Sequence, residues 1–485
     1  MTRAPRLVIA MSILAVAVRF IGINQAYEDN WSWRQSDVAT IARNYFQGGF
    51  HFACPQIDWA GDQPGYVGTE FPILPFFAAV CYKIFGVHEW VGRIQALILF
   101  AISLPSFFLL ARKLLGETAA TWALFFYSFA PLGIMASRCF MPDTPSLALS
   151  IIGLYFFRRW LGGESPSSFF ASALCISLSI LIKATSVIIA APIACLIFRH
   201  FRFGAFRNFK LWLFATIALA PAAVWYSYAY WISLKFYPYH FFGAGGVKIM
   251  PLGWYLKVGM EIVTSELTPI LGMLAMSGLF ITRSKVPARP FHFWLAAMIL
   301  FIIVVGYGNR HPWYRLPLVP IAAVFAGAAC EFIAAKVRSR EAKIAALLLL
   351  MVAFGFSSLV FTRSFYRPIS APLRNAGLAL NRITPPDSLI VAADNGDPTV
   401  FYYAERKGWH FLERDGIYYG DPDGSEPAIA DLEILRAKRA SYLVFTSNTA
   451  WWLDLYSEFR QRVEATSTLI AATSEYKIYR LNRND

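Results

Sequence analysis

Long apolar runs alternate with short polar or basic segments from the start of the chain to about residue 361. A helix needs about 17 to 25 residues to cross a bilayer, and about eleven runs come near that length. They lie near residues 1–23, 90–111, 118–137, 145–160, 168–183, 186–198, 211–232, 266–282, 291–306, 315–335 and 343–361. No small-residue cleavage site follows the basic start, so the first run is interpreted as a retained span. The pattern predicts an α-helical polytopic membrane protein with about 11 transmembrane helices.

The charge pattern decides the placement of one short apolar segment, FPILPFFAAVCYKIF at residues 71–85. If this segment lies in the interface, all basic loops fall on one side, which the excess of Lys and Arg marks as cytoplasmic. Those loops contain Arg3/Arg6, Arg112/Lys113, Arg158/Arg159, Arg199/Arg202/Arg207/Lys210, Arg283/Lys285/Arg289 and Lys336/Arg338/Arg340/Lys343. We therefore expect an interfacial or re-entrant helix and a cytoplasmic N-terminus. The outer face then holds residues 24–89, 138–144, 233–265, 307–314 and the tail.

The tail changes character after residue 363. IVAAD, YLVFT and YKIYRL have the composition of short strands, whereas EPAIADLEILRAKRA and WLDLYSEFRQRVEA have the spacing of amphipathic helices. About 120 residues can build an independent core. The sequence thus predicts a transmembrane domain at residues 1–363, with interfacial helices in the loop 24–89, and a small outer-face α/β domain at residues 364–485.

Composition supports the membrane assignment and narrows the partners. Hydrophobic residues make up 57% of the chain and charged residues 15%. The net charge of +14 is spread over short clusters between apolar runs. That distribution indicates topology signals and contact with anionic lipid, not a nucleic-acid partner. The six cysteines show no CxxC spacing, so neither a metal site nor a disulfide framework is predicted.

The loop 24–89 contains the stretch NWSWRQSD at residues 30–37. A stripe of apolar positions follows at helical spacing and ends at two glycines: Val38, Ile41, Ala42, Tyr45, Phe46, then Gly48 and Gly49. Ser36 or Asp37 would cap this helix, and Trp31 and Trp33 suit the headgroup level. An interfacial helix with an aromatic belt explains these residues without any chemistry. The alternative is that the Asp37 carboxylate acts on a substrate.

Other polar groups share the predicted outer face. Glu70 precedes the segment 71–85, and Asp143 follows Arg138 in SRCFMPDTPS. The segment YGNRHPWYRLPLVP supplies Arg310, His311, Tyr314 and Arg315, and FYPYHFFGAGG contains His240. Helix capping, snorkelling to headgroups and aromatic packing explain each of them singly. Together they place three carboxylates and several cations on one membrane face.

This layout favours one kind of chemistry. The sequence has neither a GxxxxGK[ST] loop nor a GxGxxG after a strand, which argues against ATP-driven transport and against a soluble nucleotide-sugar enzyme. A lipid phosphate at the bilayer surface needs cations, and a nearby carboxylate can take the proton of an attacking hydroxyl. The pattern therefore suits group transfer from a lipid-phosphate donor.

Four motifs occur in a familiar order over most of residues 1–335. They are WRQSDVATIARNYFQGG with its acidic residue, EFPILPFFAAVCYKIFG, RCFMPD and WYRLPLVP. In this order the chain resembles the integral-membrane glycosyltransferases of the GT-C type. It is similar in particular to the family-39 protein mannosyltransferases and the lipid A aminoarabinose transferases.

The resemblance implies a GT-C-like transmembrane fold and roles for individual residues. Asp37 would be the general base on the acceptor, Asp143 the second acidic residue that orients acceptor or donor, and Glu70 the glutamate before the re-entrant helix. The aminoarabinose transferases have a lysine after that glutamate, and Phe71 stands there in this chain. The donor phosphate would then be bound by cations elsewhere: Arg34, Arg138, Lys183, Arg310 and Arg315. Further site candidates are His240, His311 and Tyr314.

No cofactor or metal is predicted, because no tight metal-ligand spacing occurs. A divalent ion held by Asp37, Glu70 and His240 is the alternative. The C-terminal α/β domain resembles the outer-face appendages of bacterial members and would contact the acceptor or pack on the membrane domain.

The expected activity is a membrane glycosyltransferase in a bacterial inner membrane. It would move one sugar, with inversion, from a polyprenyl-phosphate-linked donor to a lipid, protein or polysaccharide acceptor on the extracytoplasmic face. One alternative is a flippase or transporter of polyprenyl-linked glycans, although the sequence lacks the repeated halves and mid-membrane charges typical of that class. The other is a polymerase or ligase that transfers a whole glycan.

Overall fold

A computed structural model of the chain describes residues 3–163, 165–241, 247–284 and 286–482. Lys285 of the predicted basic loop and residues 242–246 of the predicted outer loop 233–265 lie outside the described residues.

Most of the described residues are helical. Up to Phe365 the helices are α1 (Arg3–Val18), α2 (Ser32–Gly48), α3 (Ile73–Phe85), α4 (Glu89–Leu115), α5 (Glu117–Phe129), α6 (Pro131–Ala136), α7 (Asp143–Leu161), α8 (Pro166–Ile182), α9 (Ala190–Phe201), α10 (Phe209–Lys235), α11 (Leu252–Glu261), α12 (Pro269–Thr282), α13 (Arg289–Val305), α14 (Leu318–Lys336) and α15 (Arg340–Phe365). Tighter or wider helical turns occupy Ala184–Ile189, Arg202–Arg207, Ile262–Glu266, Val286–Ala288, Tyr307–Arg310 and Pro312–Arg315.

The tail adds strands to shorter helices. Its helices are α16 (Ala371–Ile383), α17 (Thr399–Ala404), α18 (Ser425–Ala437), α19 (Trp451–Leu455) and α20 (Ser457–Thr466). Its strands are β1 (Ile390–Ala393), β2 (Gly408–His410), β3 (Glu413–Arg414), β4 (Ile417–Tyr418), β5 (Tyr442–Thr446), β6 (Ser467–Ala472) and β7 (Tyr476–Leu481).

Several helices are suited to a membrane. Within the described ranges, five segments are long and apolar enough to cross one: Glu89–Leu115, Ala184–Arg207, Phe209–Lys235, Leu318–Lys336 and Arg340–Phe365. A sixth would be the pair Leu252–Glu266 and Pro269–Thr282, which meet at 109°. Arg6–Val18, Ile73–Phe85, Pro166–Ile182 and Arg289–Val305 are apolar but shorter. The helical membrane character that the sequence predicts is confirmed, while helix length alone does not establish about eleven spans.

Helix α3 has the form expected of an interfacial element. Its 13 residues fall short of the roughly 20 that a span requires. Leu74, Ala78 and Tyr82 are buried, whereas Phe77 and Ile84 are more than half exposed. One face therefore packs inside the protein, and the other presents apolar side chains outward.

The chain divides into two compact units. Unit 1 comprises the residues up to Ile23, Arg93–Trp225 and Ala244–Phe365, and unit 2 comprises Asn24–Gly92, Tyr226–Gly243 and Tyr366–Asp485. The predicted division between residues 363 and 364 stays a prediction. Loop 24–89 belongs to the same compact unit as the tail, which the sequence pattern does not predict.

Helices of unit 1 approach one another at glycines. A Cβ on Gly278 of α12 would stand 1.7 Å from the carbonyl oxygen of Phe325 in α14, and one on Gly327 of α14 would stand 2.3 Å from that of Ala119 in α5. Small residues allow helix backbones to approach this closely, as is typical of membrane helix packing. Helices α5, α12 and α14 thus form a tight group.

A five-stranded sheet organises unit 2, with strand order β2-β1-β5-β7-β6 in the described residues. Strand β1 pairs in parallel with β2 and β5, whereas β7 is antiparallel to β5 and β6. Side chains alternate between the two faces of a strand. Ile390 and Ala392 therefore join a core with α16, α17 and α2, while Val391 and Ala393 face a second core with α18 and α20.

The predicted cap of the first loop helix is wrong. Helix α2 begins at Ser32, so Ser36 and Asp37 lie inside it. The carboxylate of Asp29 accepts hydrogen bonds from the Trp31 backbone N–H and the Gln35 side chain, both at 3.0 Å, which starts the helix a turn earlier. The predicted end at Gly48 and Gly49 is confirmed.

Candidate functional site

Asp37 lies on the second turn of α2, on a face that is almost entirely buried. Its side chain is 3% exposed, and the indole Nε1–H of Trp59 donates to Oδ1 at 3.0 Å. Arg34, one turn earlier on the same helix, and His410 of β2 act on it electrostatically. The carboxylate therefore has an indole N–H as its hydrogen-bond donor and lies within the electrostatic influence of Arg34 and His410.

This environment tunes the acid strength of Asp37. Burial is the largest influence and raises its pKa from 3.8 to about 6. The Trp59 hydrogen bond, Arg34 and His410 oppose that rise, and Asp397 adds to it. A carboxylate with such a pKa remains ionised at neutral pH and is a stronger base than an exposed aspartate.

Arg34 also forms an ion pair with Glu70. Its Nη2 lies 2.5 Å from Oε1 of Glu70, and the Thr69 hydroxyl donates to Oε2 at 3.1 Å. Both partners are mostly buried. Glu70 precedes α3 by three residues, so this pair joins the start of α3 to α2.

His240 lies in the segment after α10 and contacts Trp59, with ring centroids 5.5 Å apart. Burial, reinforced by Arg34, lowers its pKa to about 4 against the opposing influence of Glu70. His240 is therefore neutral at physiological pH.

The tail places a second histidine against the same indole. The His410 and Trp59 ring centroids are 5.1 Å apart. His410 Nδ1 donates to the Asp394 carboxylate at 2.8 Å, which fixes the ring orientation. Burial disfavours its charged form, but Asp394, Asp37 and Asp397 outweigh burial and raise the pKa of His410.

Hydroxyl groups fasten α2 to the tail beside this cluster. Ser32 donates to Asp397 Oδ2 at 2.7 Å, and Ser36 lies 2.8 Å from the hydroxyl of Thr399. Asp397 also accepts from the hydroxyls of Ser370 and Thr399. The buried face of α2 is thus polar because it meets a polar edge of the tail.

Four residues of this cluster are not predicted from the sequence: Trp59, Asp394, Asp397 and His410. A signal for the two aspartates existed in IVAADNGDP, where two carboxylates follow a buried strand. No local signal links that strand to loop 24–89.

A second group of candidates lies in unit 1. Lys183 Nζ is 2.6 Å from Oδ1 of Asp143, the first residue of α7, and 4.5 Å from the Tyr314 ring centroid. All three residues line one pocket, together with Ser150, Thr185, Ser186 and Trp313. The pocket therefore combines a carboxylate, an ammonium, hydroxyl groups and aromatic faces.

The remaining candidates of unit 1 have varied environments. Arg138 is buried and donates to the carbonyl of Gly22 at 3.0 Å. Arg315 is fully buried and forms an ion pair with Glu266. Arg310 is exposed above the Tyr307 ring, and His311 stacks on Trp313 at 4.4 Å. The pairing of Arg315 favours a structural role for that residue.

The sequence-predicted candidates thus fall into two groups. Asp37, Arg34, Glu70 and His240 come together in unit 2, and the others belong to unit 1. Among the described residues, no cluster of three or more His, Cys, Asp or Glu side chains is arranged to hold a metal ion.

Part of the chain matches a known protein family. A family model described as dolichyl-phosphate-mannose-protein mannosyltransferase matches residues 62–228. The chain has no significant match among curated protein sequences.

Solved structures match nearly the whole chain. ArnT from Cupriavidus metallidurans in the apo state has a TM-score of 0.68 at 16% identity, covering 99% of this chain and 98% of ArnT. The form bound to undecaprenyl phosphate gives 0.65 at 15%, covering 98% and 97%. The chain has the fold of these ArnT structures.

A solved archaeal structure shares this fold. The oligosaccharyltransferase AglB from Archaeoglobus fulgidus, in complex with an inhibitory peptide and a dolichol-phosphate, gives a TM-score of 0.63 at 12% identity, covering 97% of this chain and 74% of AglB. The predicted resemblance to membrane glycosyltransferases, and the prediction of a transferase, are confirmed.

Proposed function

We propose that the protein transfers one sugar from a polyprenyl-phosphate-linked donor to a hydroxyl or amine acceptor on the extracytoplasmic face of a bacterial inner membrane. The observation that carries the proposal is the buried Asp37 carboxylate, held by Trp59 and influenced by Arg34, which pairs with Glu70, on a GT-C fold. Undecaprenyl phosphate and dolichol-phosphate in the matched structures support a lipid-phosphate donor.

In the proposed reaction the acceptor attacks the anomeric carbon directly. The acceptor proton passes to a carboxylate oxygen of Asp37, a new glycosidic bond forms, and the bond from the anomeric carbon to the phosphate oxygen breaks. The bonding electron pair leaves with the polyprenyl phosphate, and the configuration inverts. A positioned base of this kind contributes about 10²- to 10⁴-fold to the rate.

Cationic side chains would stabilise the departing phosphate. Arg34 is the candidate of unit 2, and its partner Glu70 fixes the guanidinium in one orientation. Lys183, with Asp143, is the best-placed candidate of unit 1 because both side chains line a pocket that also contains hydroxyl groups and aromatic faces. Arg138, Arg310, Arg315, His311 and Tyr314 remain candidates for donor contact, and His240 for acceptor contact.

The proposal includes a membrane topology. About eleven spans, a cytoplasmic N-terminus and an extracytoplasmic α/β domain fit the basic loops, if the shorter apolar helices also cross the bilayer. The acceptor would be a lipid, a protein or a polysaccharide of the cell envelope.

The deciding experiment uses the purified chain in liposomes with undecaprenyl phosphate carrying radiolabelled mannose or 4-amino-4-deoxyarabinose, and with envelope extracts as acceptors. The protein should release undecaprenyl phosphate and add one labelled sugar to one acceptor, and Asp37→Asn should lower both rates about 10²- to 10⁴-fold. Mass spectrometry of envelope lipids and glycans, with and without the protein, identifies the acceptor independently of the labelled donors.

Each alternative predicts a different result. A flippase would move the labelled lipid across the bilayer without turnover. A polymerase or ligase would shift acceptor masses by a whole glycan instead of one sugar. Wild-type transfer by Asp37→Asn would refute the assignment of the base.

A further inference from the structure

We propose that the tail completes the candidate catalytic site: His410, held by Asp394, positions the Trp59 indole, which in turn holds the Asp37 carboxylate. This inference rests on the proposed function, because it assigns positioning residues to the same reaction. All four side chains belong to unit 2. Neither His410 nor Trp59 needs to touch substrate for this role.

The Trp59 segment is attached to the sheet at β2. β2 is an edge strand, and an edge strand offers unpaired backbone groups. Gly408 N–H donates to the Asp58 carbonyl at 2.9 Å, and Gly61 N–H donates to the Gly408 carbonyl at 2.6 Å. The segment 58–61 therefore pairs with β2 on either side of Trp59.

The same segment is also attached to α2. The Asp58 carboxylate accepts from Arg43 at 2.7 Å and from Asn44 at 2.9 Å. Both donors lie on α2, about two turns beyond Asp37. Segment 58–61 is thus fixed to α2 on one side and to β2 on the other, and Trp59 occupies the space between them.

A chain of side-chain contacts leads from Asp394 to Asp37. Asp394 holds His410 through Nδ1, the imidazole lies against Trp59, and Trp59 donates to Asp37. His240 contacts the indole as well, so the ring has a histidine neighbour from each of two distant segments. An indole confined in this way keeps its N–H aimed at the carboxylate oxygen, and small errors in the placement of a catalytic base reduce rates strongly.

The test is a double-mutant cycle on the full-length chain in liposomes. Trp59→Phe keeps an aromatic ring but removes the indole N–H donor, and His410→Gln removes the imidazole. If His410 acts through Trp59, each variant should lower kcat about tenfold at unchanged donor KM, and the double variant should lose no more than one of them alone. Multiplicative losses of about a hundredfold in the double variant would overturn the proposal.

The matched control is Trp452→Phe. Trp452 is also fully buried in unit 2, and its indole nitrogen has no hydrogen-bond partner in the described structure. This variant loses the same ring atoms without touching the chain of contacts, so its rate should stay within about twofold of wild type. Equal kcat losses in Trp452→Phe and Trp59→Phe would show that general core packing explains the effect.

A second measurement does not depend on activity. With ¹⁵N-labelled tryptophan, the resonance that disappears in Trp59→Phe identifies its indole N–H among the 15 tryptophans of the chain. This resonance should shift in Asp37→Asn and in His410→Gln but not in Trp452→Phe. An unshifted resonance in His410→Gln would overturn the inference. If the resonance shifts as expected but the wild-type protein transfers no sugar, only the proposed function is refuted.

Discussion

The Lys183 ammonium lies 2.6 Å from the Asp143 carboxylate and 4.5 Å from the centroid of the Tyr314 ring. Both charged side chains are at least nine-tenths buried. A buried ion pair is costly to break on one side only, because the remaining charge keeps its desolvation penalty without its partner.

We therefore expect Lys183→Met to lower the free energy of unfolding by about 3 kcal/mol. The double variant Lys183→Met/Asp143→Leu should recover part of that loss, since neither charge then remains buried alone. Thermal unfolding in detergent measures both. A double variant less stable than Lys183→Met would contradict this account.

The pH dependence of transfer should report Asp37. The base must be ionised to accept a proton, and its pKa is about 6. Activity should therefore rise with pH through about 6 and fall on acidification below that value. Initial rates between pH 4.5 and 8, at saturating donor, measure this acidic limb of the pH–rate profile. A limb near pH 4 would show that Asp37 is not buried in the working enzyme.

Replacing Arg34 should move that limb. Arg34 lowers the pKa of Asp37, so Arg34→Gln should shift the acidic limb to higher pH and weaken donor binding. Arg34→Lys keeps the charge but loses the planar fork that meets Glu70. It should therefore leave the limb nearer its wild-type position while still raising the donor KM. Identical limbs in wild type and Arg34→Gln would exclude the electrostatic coupling.

Gly61→Ala should loosen the Trp59 segment. Gly61 has φ +61°, and an added Cβ would stand 2.1 Å from the Trp409 ring. We expect a loss of roughly 1–3 kcal/mol in unfolding free energy and a lower kcat. Gly163→Ala is the control, because that glycine has φ +80° with nothing within 4 Å of the added Cβ. This control should show the backbone strain without the clash. Equal losses of unfolding free energy in the two variants would show that the contact between Gly61 and Trp409 is not the cause.

The parts of the fold that depend on local pattern were predictable. IVAAD, YLVFT and YKIYRL form β1, β5 and β7, because each is a short apolar or alternating run bounded by polar residues. WLDLYSEFRQRVEA instead splits at Tyr456 into α19 and α20. Hydrophobic spacing does not mark such a break.

The candidate site was only half predictable. Asp37 and Glu70 stand in recognisable motifs, and their short separation in the chain made their association plausible. His410, held by Asp394, comes near Asp37 only because β2 presents an edge that segment 58–61 covers. Pairing between segments so distant in sequence depends on tertiary packing, which no local pattern encodes.

The backbone bonds between Gly408 and segment 58–61 also fix an order of events during biosynthesis. Chains emerge from the ribosome N-terminus first, so α2 and Trp59 are made long before the strand that pairs with segment 58–61. Until Gly408 and His410 emerge, Asp37 lacks the neighbours that enclose it. The nascent chain can thus insert most of its helices before the surroundings of Asp37 are complete, and under the proposed mechanism it becomes competent for transfer only with the last quarter of the polypeptide.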